Sequence, residues 1–508
     1  MSTNTIRHLL FNSTATLKTK PALTFLRDGK IETELSYAEL GHDAERMSNV
    51  LRSMGIGKSD RVILFLQKSL VFIITHLALQ KIGAITVPLN PEFKRSEMEY
   101  LIQDNQPKAI LVDDSTEPLI QEIDSTLTIL PIDTRKPYQE IDIFNNIPDN
   151  DTETTVGPED PALIIYTSGT TGKPKGVVLT QKNLSNDAGA VIDIWDINQA
   201  DVICHALPLF HAHGFCFALQ TALIAGAHVL LMDRFVPDNV IEALSQQGGP
   251  NQCSVFMAVP AMYGRLMACI GDRNIDFGHL RLLTSGSAPL LPKDFKRIQQ
   301  TFGKEPVERE GMSETGMNFS NPLRGEKKPG SIGSPLPSLE ARIVDPETGL
   351  DVSPGQTGEI WLRGPSIFSG YWKKDKETAD TFEQGWFKTG DLGNVDADGY
   401  YYLTDRIKDI IISGGENISP KEIEAVINSL DEVLECSVLG IQDEKWGEKV
   451  VAAVVRKPET EIGEDKIKET CIKHLHKWKC PKQFIFLDKI PRNLMGKALK
   501  DEVRSSFQ

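Results

Sequence analysis

Between Tyr166 and Gly176 the chain reads Tyr-Thr-Ser-Gly-Thr-Thr-Gly-Lys-Pro-Lys-Gly. Four hydroxyls (Thr167, Ser168, Thr170, Thr171), three glycines (Gly169, Gly172, Gly176) and two lysines (Lys173, Lys175) are thus packed into one short stretch. Glycines let a backbone approach a polyphosphate closely, hydroxyls and exposed N–H groups donate to its oxygens, and lysines add positive charge. The spacing is not that of a Walker P-loop, because Pro174 follows Lys173 and a threonine stands at position 167. A flexible Gly/Ser/Thr turn is the plain alternative, and the length and density of the run weigh against it.

A loop of this kind needs a strand to end on, and the apolar run Ala162–Tyr166 supplies one. Similar short runs recur at Arg61–Phe65, Ala109–Val112, Val229–Met232, Ser254–Val259 and Arg281–Ser285, separated by amphipathic segments. That alternation predicts buried parallel strands joined by helices. From about Ser331 the texture shifts to Gly/Pro turns and alternating strands such as Glu359–Arg363 and Tyr400–Leu403, which predicts a β-rich subdomain. A further small α/β pattern follows, with strands at Cys436–Leu439 and Val450–Val455 and helices at Pro420–Ser429 and Asp465–Leu475. The fold class is therefore α/β, with a large N-terminal region (1–405), a boundary at Arg406–Asp409 and a small C-terminal domain (410–508).

Composition narrows the function classes. The 508 residues carry 55 Lys+Arg against 70 Asp+Glu, a formal charge of −15, which argues against nucleic acid and anionic membrane as partners. Seven cysteines without a C-x-x-C pair disfavour a disulfide framework or a zinc site and suit a reducing compartment. Residues 1–12 show no secretory pattern, so a cytoplasmic location is expected. The uncharged stretch Gly214–Met232 is long enough to raise the question of a membrane span. Gln220, Gly226 and His228 interrupt it, so it reads as a helix, a turn at Ala225–Ala227 and a strand.

The phosphate-loop stretch resembles the signature of the adenylate-forming superfamily of acyl-CoA synthetases, luciferases and peptide-synthetase adenylation domains. Six more stretches resemble that family's signatures, in its order: Ser285-Gly-Ser-Ala-Pro289, Glu310-Gly-Met-Ser-Glu-Thr315, Trp386-Phe-Lys-Thr-Gly-Asp391, Asp405-Arg-Ile-Lys-Asp409, Ser413-Gly-Gly-Glu-Asn417 and Pro491-Arg-Asn-Leu-Met-Gly-Lys497. The resemblance spans nearly the whole chain. It implies a ligase that uses ATP, Mg²⁺ and coenzyme A to convert a carboxylic acid, through an acyl-adenylate, into a thioester. It also implies a C-terminal domain that rotates between the two half-reactions.

Residue by residue, the resemblance gives Glu314 and the Thr167 hydroxyl to Mg²⁺, a cation that needs only one or two carboxylates beside phosphate oxygens. Ser287, Ala288 and Pro289 would border adenine, with Gly311, Met312 and Ser313 in the adjoining motif. Asp391 would accept from the ribose, with Arg406 assisting. Lys497 would stabilise charge as the carboxylate attacks the α-phosphorus. Lys408 matches the hinge position. Gly414 and Gly415 suit close passage of pantetheine, since neither carries a Cβ. Glu310 departs from the pattern: many members carry an aromatic residue there that stacks on adenine, and a carboxylate cannot.

The acid pocket would be walled by His211, His213, Ser285, Gly286 and Met317. The stretch Glu314–Pro322 closely resembles malonyl- and methylmalonyl-CoA synthetases, and Arg265 matches the position where those enzymes hold an arginine for the distal carboxylate, a natural bidentate reader. A small acid such as malonate or methylmalonate is the expected substrate. A medium- or long-chain fatty acid, or transfer to a carrier protein, are the alternatives, and a homodimer is compatible with the sequence.

Overall fold

The computed structural model describes residues 5–141, 152–167, 173–413, 416–444, 446–493 and 497–507. It divides into two compact units, one of residues 1–340 and 363–387, the other of residues 341–362 and 388–508. The expected hinge segment 406–409 falls within the second unit.

The first unit is built on two sheets. Seven strands run in the order Gly370–Tyr371, Lys175–Thr180, Pro161–Thr167, Ile85–Pro88, Arg61–Phe65, Ala109–Asp113 and Ile129–Ile132. Nine run Ser334–Pro335, Gly316–Ser320, Val307–Met312, Leu282–Ser285, Val255–Ala258, Val202–His205, His228–Met232, Pro21–Arg27 and Lys30–Ser36. Most interior pairs are parallel, as at Arg61↔Ile85, Val62↔Ala109 and Val255↔Leu282. Such strands are covered on both faces, which is why their sequences are unbroken apolar runs rather than alternations.

The expected strand at Ala162–Tyr166 runs parallel to Ile85–Pro88 on one side and antiparallel to its neighbour on the other. Pro161–Thr167 pairs antiparallel with Lys175–Thr180, and Val307–Met312 with Gly316–Ser320. Both hairpins carry site motifs, and the few residues of sequence between their strands are too short for the crossover a parallel pair requires.

The helix Leu70–Ile82 shows how local signals set an element. Ser69 caps it by accepting the Phe72 N–H, Gly83 ends it at φ 72°, and every residue but Lys81 is buried. A helix apolar all round belongs in the interior. The Gly214–Met232 stretch folds as π-helix His213–Gln220, α-helix Thr221–Ala225, a left-handed Gly226 and strand His228–Met232. Among the described residues no helix is long and apolar enough to cross a membrane.

In the second unit, Tyr401–Arg406 pairs with Trp386–Val395 in the β-rich part. A second sheet pairs Val433–Asp443 with Gly447–Arg456, beside Ile411–Ser413 and Gln483–Phe486. Val450, Ala452 and Val454 pack on one side with Ile423, Ile427 and Ile467. Val451, Ala453 and Val455 pack on the other with Ile490 and Val503. Burial on both faces explains the continuous Val450–Val455 run.

Candidate active site

Two motifs of the first unit meet through Tyr371. Thr167 closes Pro161–Thr167 and pairs with Lys175 across the hairpin. Lys175 Nζ stands 5.1 Å from the centroid of the Tyr371 ring. The Tyr371 hydroxyl in turn donates to Glu314 Oε1 at 3.1 Å. Tyr371 therefore links the phosphate-loop lysine to the acidic residue, and nothing in the sequence spacing signals it. Lys173 lies 5.3 Å from the centroid of the Tyr100 ring. Ser168, Gly169, Thr170, Thr171, Gly172, Gly414 and Gly415 lie outside the described residues.

Glu314 is buried in the turn between Val307–Met312 and Gly316–Ser320, the hairpin that also holds Gly311, Met312 and Ser313. A carboxylate is a hard oxygen donor of the kind Mg²⁺ takes together with phosphate oxygens and water. Glu310 is partly exposed and its Oε2 accepts from Asn318 Nδ2 at 3.0 Å. The hairpin thus engages this carboxylate.

A second cluster forms around Arg309. This residue is 3 % exposed, and its Nε and both terminal nitrogens have no hydrogen-bond partner among the described residues. Its guanidinium lies 5.2 Å from the centroid of the Phe217 ring. Gly286 makes room for it, since a Cβ there would fall 2.6 Å from Arg309 Nε. Burial lowers the Arg309 pKa to about 10, against the opposing pull of Glu310 and Asp187, so it remains a cation at neutral pH. Asp187, buried in helix Gln181–Trp195, accepts the Met317 N–H at 2.8 Å, and burial raises its pKa to about 7.

His213 is buried beside this cluster. Its Nδ1 lies 3.2 Å from Ser287 Oγ, and its Nε2 has no partner among the described residues. Burial, then the charge of Arg309, holds its pKa well below the ordinary value, so it is neutral. His211 packs on Phe210 with ring centroids 4.8 Å apart, and burial lowers its pKa to about 4. Ser287 adopts φ 67°, a left-handed conformation uncommon for serine, and backbone strain of this kind often gathers at functional sites. Ala288 and Pro289 follow it in the same turn. The buried Ser285 Oγ also has no partner among the described residues. Orphaned buried polar atoms cost free energy unless something satisfies them, and here they gather around Ser285–Pro289, His213 and Arg309. The residues present therefore fit a polar, anionic ligand.

The structure does not bring Arg265 into this cluster. It is exposed, with its guanidinium 4.8 Å from the centroid of the Phe235 ring.

The second unit carries its own constellation. Asp391 and Arg406 are ladder partners and their side chains pair at 2.7 Å. The turn before Asp391 is fixed by Gly390 at φ 72°, whose N–H donates to Glu359 Oε1 at 2.9 Å. Lys497 closes a turn in which its N–H donates to Asn493 Oδ1 at 3.0 Å and its carbonyl accepts from Asn493 at 2.9 Å. The residue is open to solvent at its surface. Partial loss of hydration around its ammonium, then the Arg406 and Lys408 charges, lower its pKa to about 8, while Asp409 and Asp391 oppose that. Lys408 sits in the one-turn 3₁₀ segment Ile407–Asp409.

Mainly parallel sheets with helices between their strands, Thr167 and Lys175 paired at a hairpin, the buried Glu314 and the separate Lys497 turn are the parts of an adenylate-forming enzyme. Sequence comparison agrees: residues 10–372 match the AMP-binding enzyme family and residues 422–497 match the AMP-binding enzyme C-terminal domain. The chain belongs to this family, and it is an AMP-forming acyl-CoA ligase that uses ATP and coenzyme A. It is 34 % identical over 487 residues to an indoleacetate–CoA ligase of Aromatoleum aromaticum, covering 93 % of each chain. It is 33 % identical to a mitochondrial malonate–CoA ligase of Bos taurus, covering 89 % of this chain and 82 % of that one. The ATP-bound crystal structure of MatB from Rhodopseudomonas palustris is 35 % identical, with a TM-score of 0.91 and 99 % of each chain covered.

Proposed function

We propose that the acid this ligase activates is a small dicarboxylate of the malonate class. The observation that carries the reading is Arg309. A buried guanidinium without hydrogen bonds is costly, and a carboxylate that meets it side-on removes that cost with two charge-assisted bonds. Arg309 is a stronger candidate than Arg265 for the distal-carboxylate role because it is buried among Phe217, Gly286 and the His213–Ser287 pair. An unbranched fatty acid would leave the cation unpaired. The resemblance of Glu314–Pro322 to malonyl- and methylmalonyl-CoA synthetases supports the same reading.

In this reading Glu314 and Thr167 hold Mg²⁺, which when bound offsets phosphate charge. Asp391 accepts from the ribose and Arg406 orients that carboxylate. Lys497 stabilises the oxygens of the α-phosphoryl group as the acid attacks, a contribution of about 3–4 kcal/mol for one preorganised donor. Rotation about Lys408, between a 1–405 domain and a 410–508 domain, then removes Lys497 and admits the thiol.

A pyrophosphate-release screen over malonate, methylmalonate, succinate, butyrate and octanoate, with and without coenzyme A, tests the proposal. Turnover led by malonate or methylmalonate and dependent on coenzyme A is expected. Release led by octanoate would transfer the reading to fatty acids, and turnover that coenzyme A leaves unchanged would point to a carrier protein.

A further inference from the structure

Asp405 is the penultimate residue of the strand Tyr401–Arg406 and is 3 % exposed. Its Oδ1 accepts the Arg406 N–H at 2.8 Å. Its Oδ2 accepts the Ser419 hydroxyl at 2.6 Å and the Lys421 N–H at 3.2 Å. Ser419 is the N-cap of helix Pro420–Ile427, and its Oγ also accepts the Glu422 N–H at 3.4 Å. A carboxylate at a helix start is favoured by the unpaired N–H groups there.

The position of these bonds in the chain decides their consequence. Asp405 precedes the segment 406–409, whereas Ser419 and Lys421 follow it. Any rotation within 406–409 that swings the later residues away must break both Oδ2 bonds together. Lys500, paired with Asp409 at 3.2 Å, lies beyond the segment and offers no such restraint. In the arrangement seen, Lys497 is close enough to Asp391 and Arg406 for their charges to act on it.

We propose that Asp405 is a positioning residue: its bonds to Ser419 and Lys421 latch the arrangement in which Lys497 serves acyl-adenylate formation, and they must open before the thioester step. This rests on the hinge reading of Lys408. Asp405 touches neither substrate nor nucleotide in this account. It acts by raising the fraction of molecules with Lys497 in place. Hydrogen bonds to a buried charged group are among the stronger ones, so losing the latch lowers that fraction by about tenfold.

The test measures the two half-reactions of the full chain separately. Acyl-AMP formation is followed in a single turnover without coenzyme A, and thioester formation is followed from supplied acyl-AMP with coenzyme A. Asp405→Ala and Ser419→Ala should each slow the first by about tenfold and leave the second unchanged or faster. Ser419→Thr keeps the hydroxyl and should behave as wild type. Equal losses in both half-reactions, or no change in either with Ser419→Ala, overturns the latch. Lys408→Pro is measured alongside: if it selectively blocks thioester formation while the latch variants fail, the latch alone is wrong. If Lys408→Pro leaves thioester formation at the wild-type rate, the hinge reading falls and the latch with it.

Discussion

Arg406 and Asp391 stand opposite one another in an antiparallel ladder, and the guanidinium closes on the carboxylate at 2.7 Å. The pair fixes the orientation of a carboxylate assigned to the ribose and also places a permanent cation near Lys497. That cation is one reason the lysine's pKa is lowered to about 8, after loss of hydration and together with Lys408.

The sign of that shift gives a pH dependence. A lysine with a lowered pKa is charged below about 8 and loses its charge above it. Acyl-AMP formation should therefore fall as pH rises through this value, whereas thioester formation from supplied acyl-AMP should lack that limb. Lys408→Gln removes one repelling charge and should move the limb to higher pH. A single-turnover pH profile that stays flat to well above pH 8 would count against the assignment.

Lys497→Ala should reduce acyl-AMP formation by about 10²–10³-fold, the usual cost of losing one preorganised donor to a developing anion. The same variant should still convert supplied acyl-AMP and coenzyme A to thioester. Rapid-quench measurement of each half-reaction checks both statements, and an equal loss in the two would remove Lys497 from the adenylation step.

Gly286→Ala should injure the acid pocket selectively. The new Cβ would sit 2.6 Å from Arg309 Nε and 2.8 Å from the Arg309 carbonyl oxygen, so the guanidinium must shift. Overpacking of this kind costs about 1–3 kcal/mol, visible as a lower Tm. KM for malonate should rise more than KM for ATP; an equal rise in both would mean that the damage is not confined to the Arg309 side.

The elements were largely legible because buried parallel strands advertise themselves as apolar runs: Arg61–Phe65 is a strand with those bounds, and Ala162–Tyr166 extends by one residue at each end. The antiparallel hairpins were not, since Lys175–Thr180 and Gly316–Ser320 overlap Gly-bearing motif stretches that do not read as strands. Periodicity alone places Arg265 on the outer face of its helix. Met262, Tyr263, Leu266, Met267 and Ile270 form the buried face of helix Pro260–Ile270, which leaves Arg265 on the outer one. Arg309 was obscured for the opposite reason. Glu308 and Arg309 are adjacent charged residues in a strand, where at least one is expected to face water, yet both are buried. Tyr371 and Asp405 gain their roles only through contacts with Glu314 and Ser419, which no spacing rule connects.

Whether Arg309 reads a second carboxylate is decided by Arg309→Met, with Arg265→Ala as its companion. Truncating one member of a buried charge pair costs about 2–5 kcal/mol, so kcat/KM for malonate or methylmalonate should drop by about 30- to 5,000-fold in Arg309→Met. The same variant should keep or gain activity with butyrate, because no cation is then left unpaired in the pocket, and Arg265→Ala should match the wild type on every acid. A wild-type enzyme that prefers octanoate to malonate, with Arg309→Met altering neither, would contradict the account.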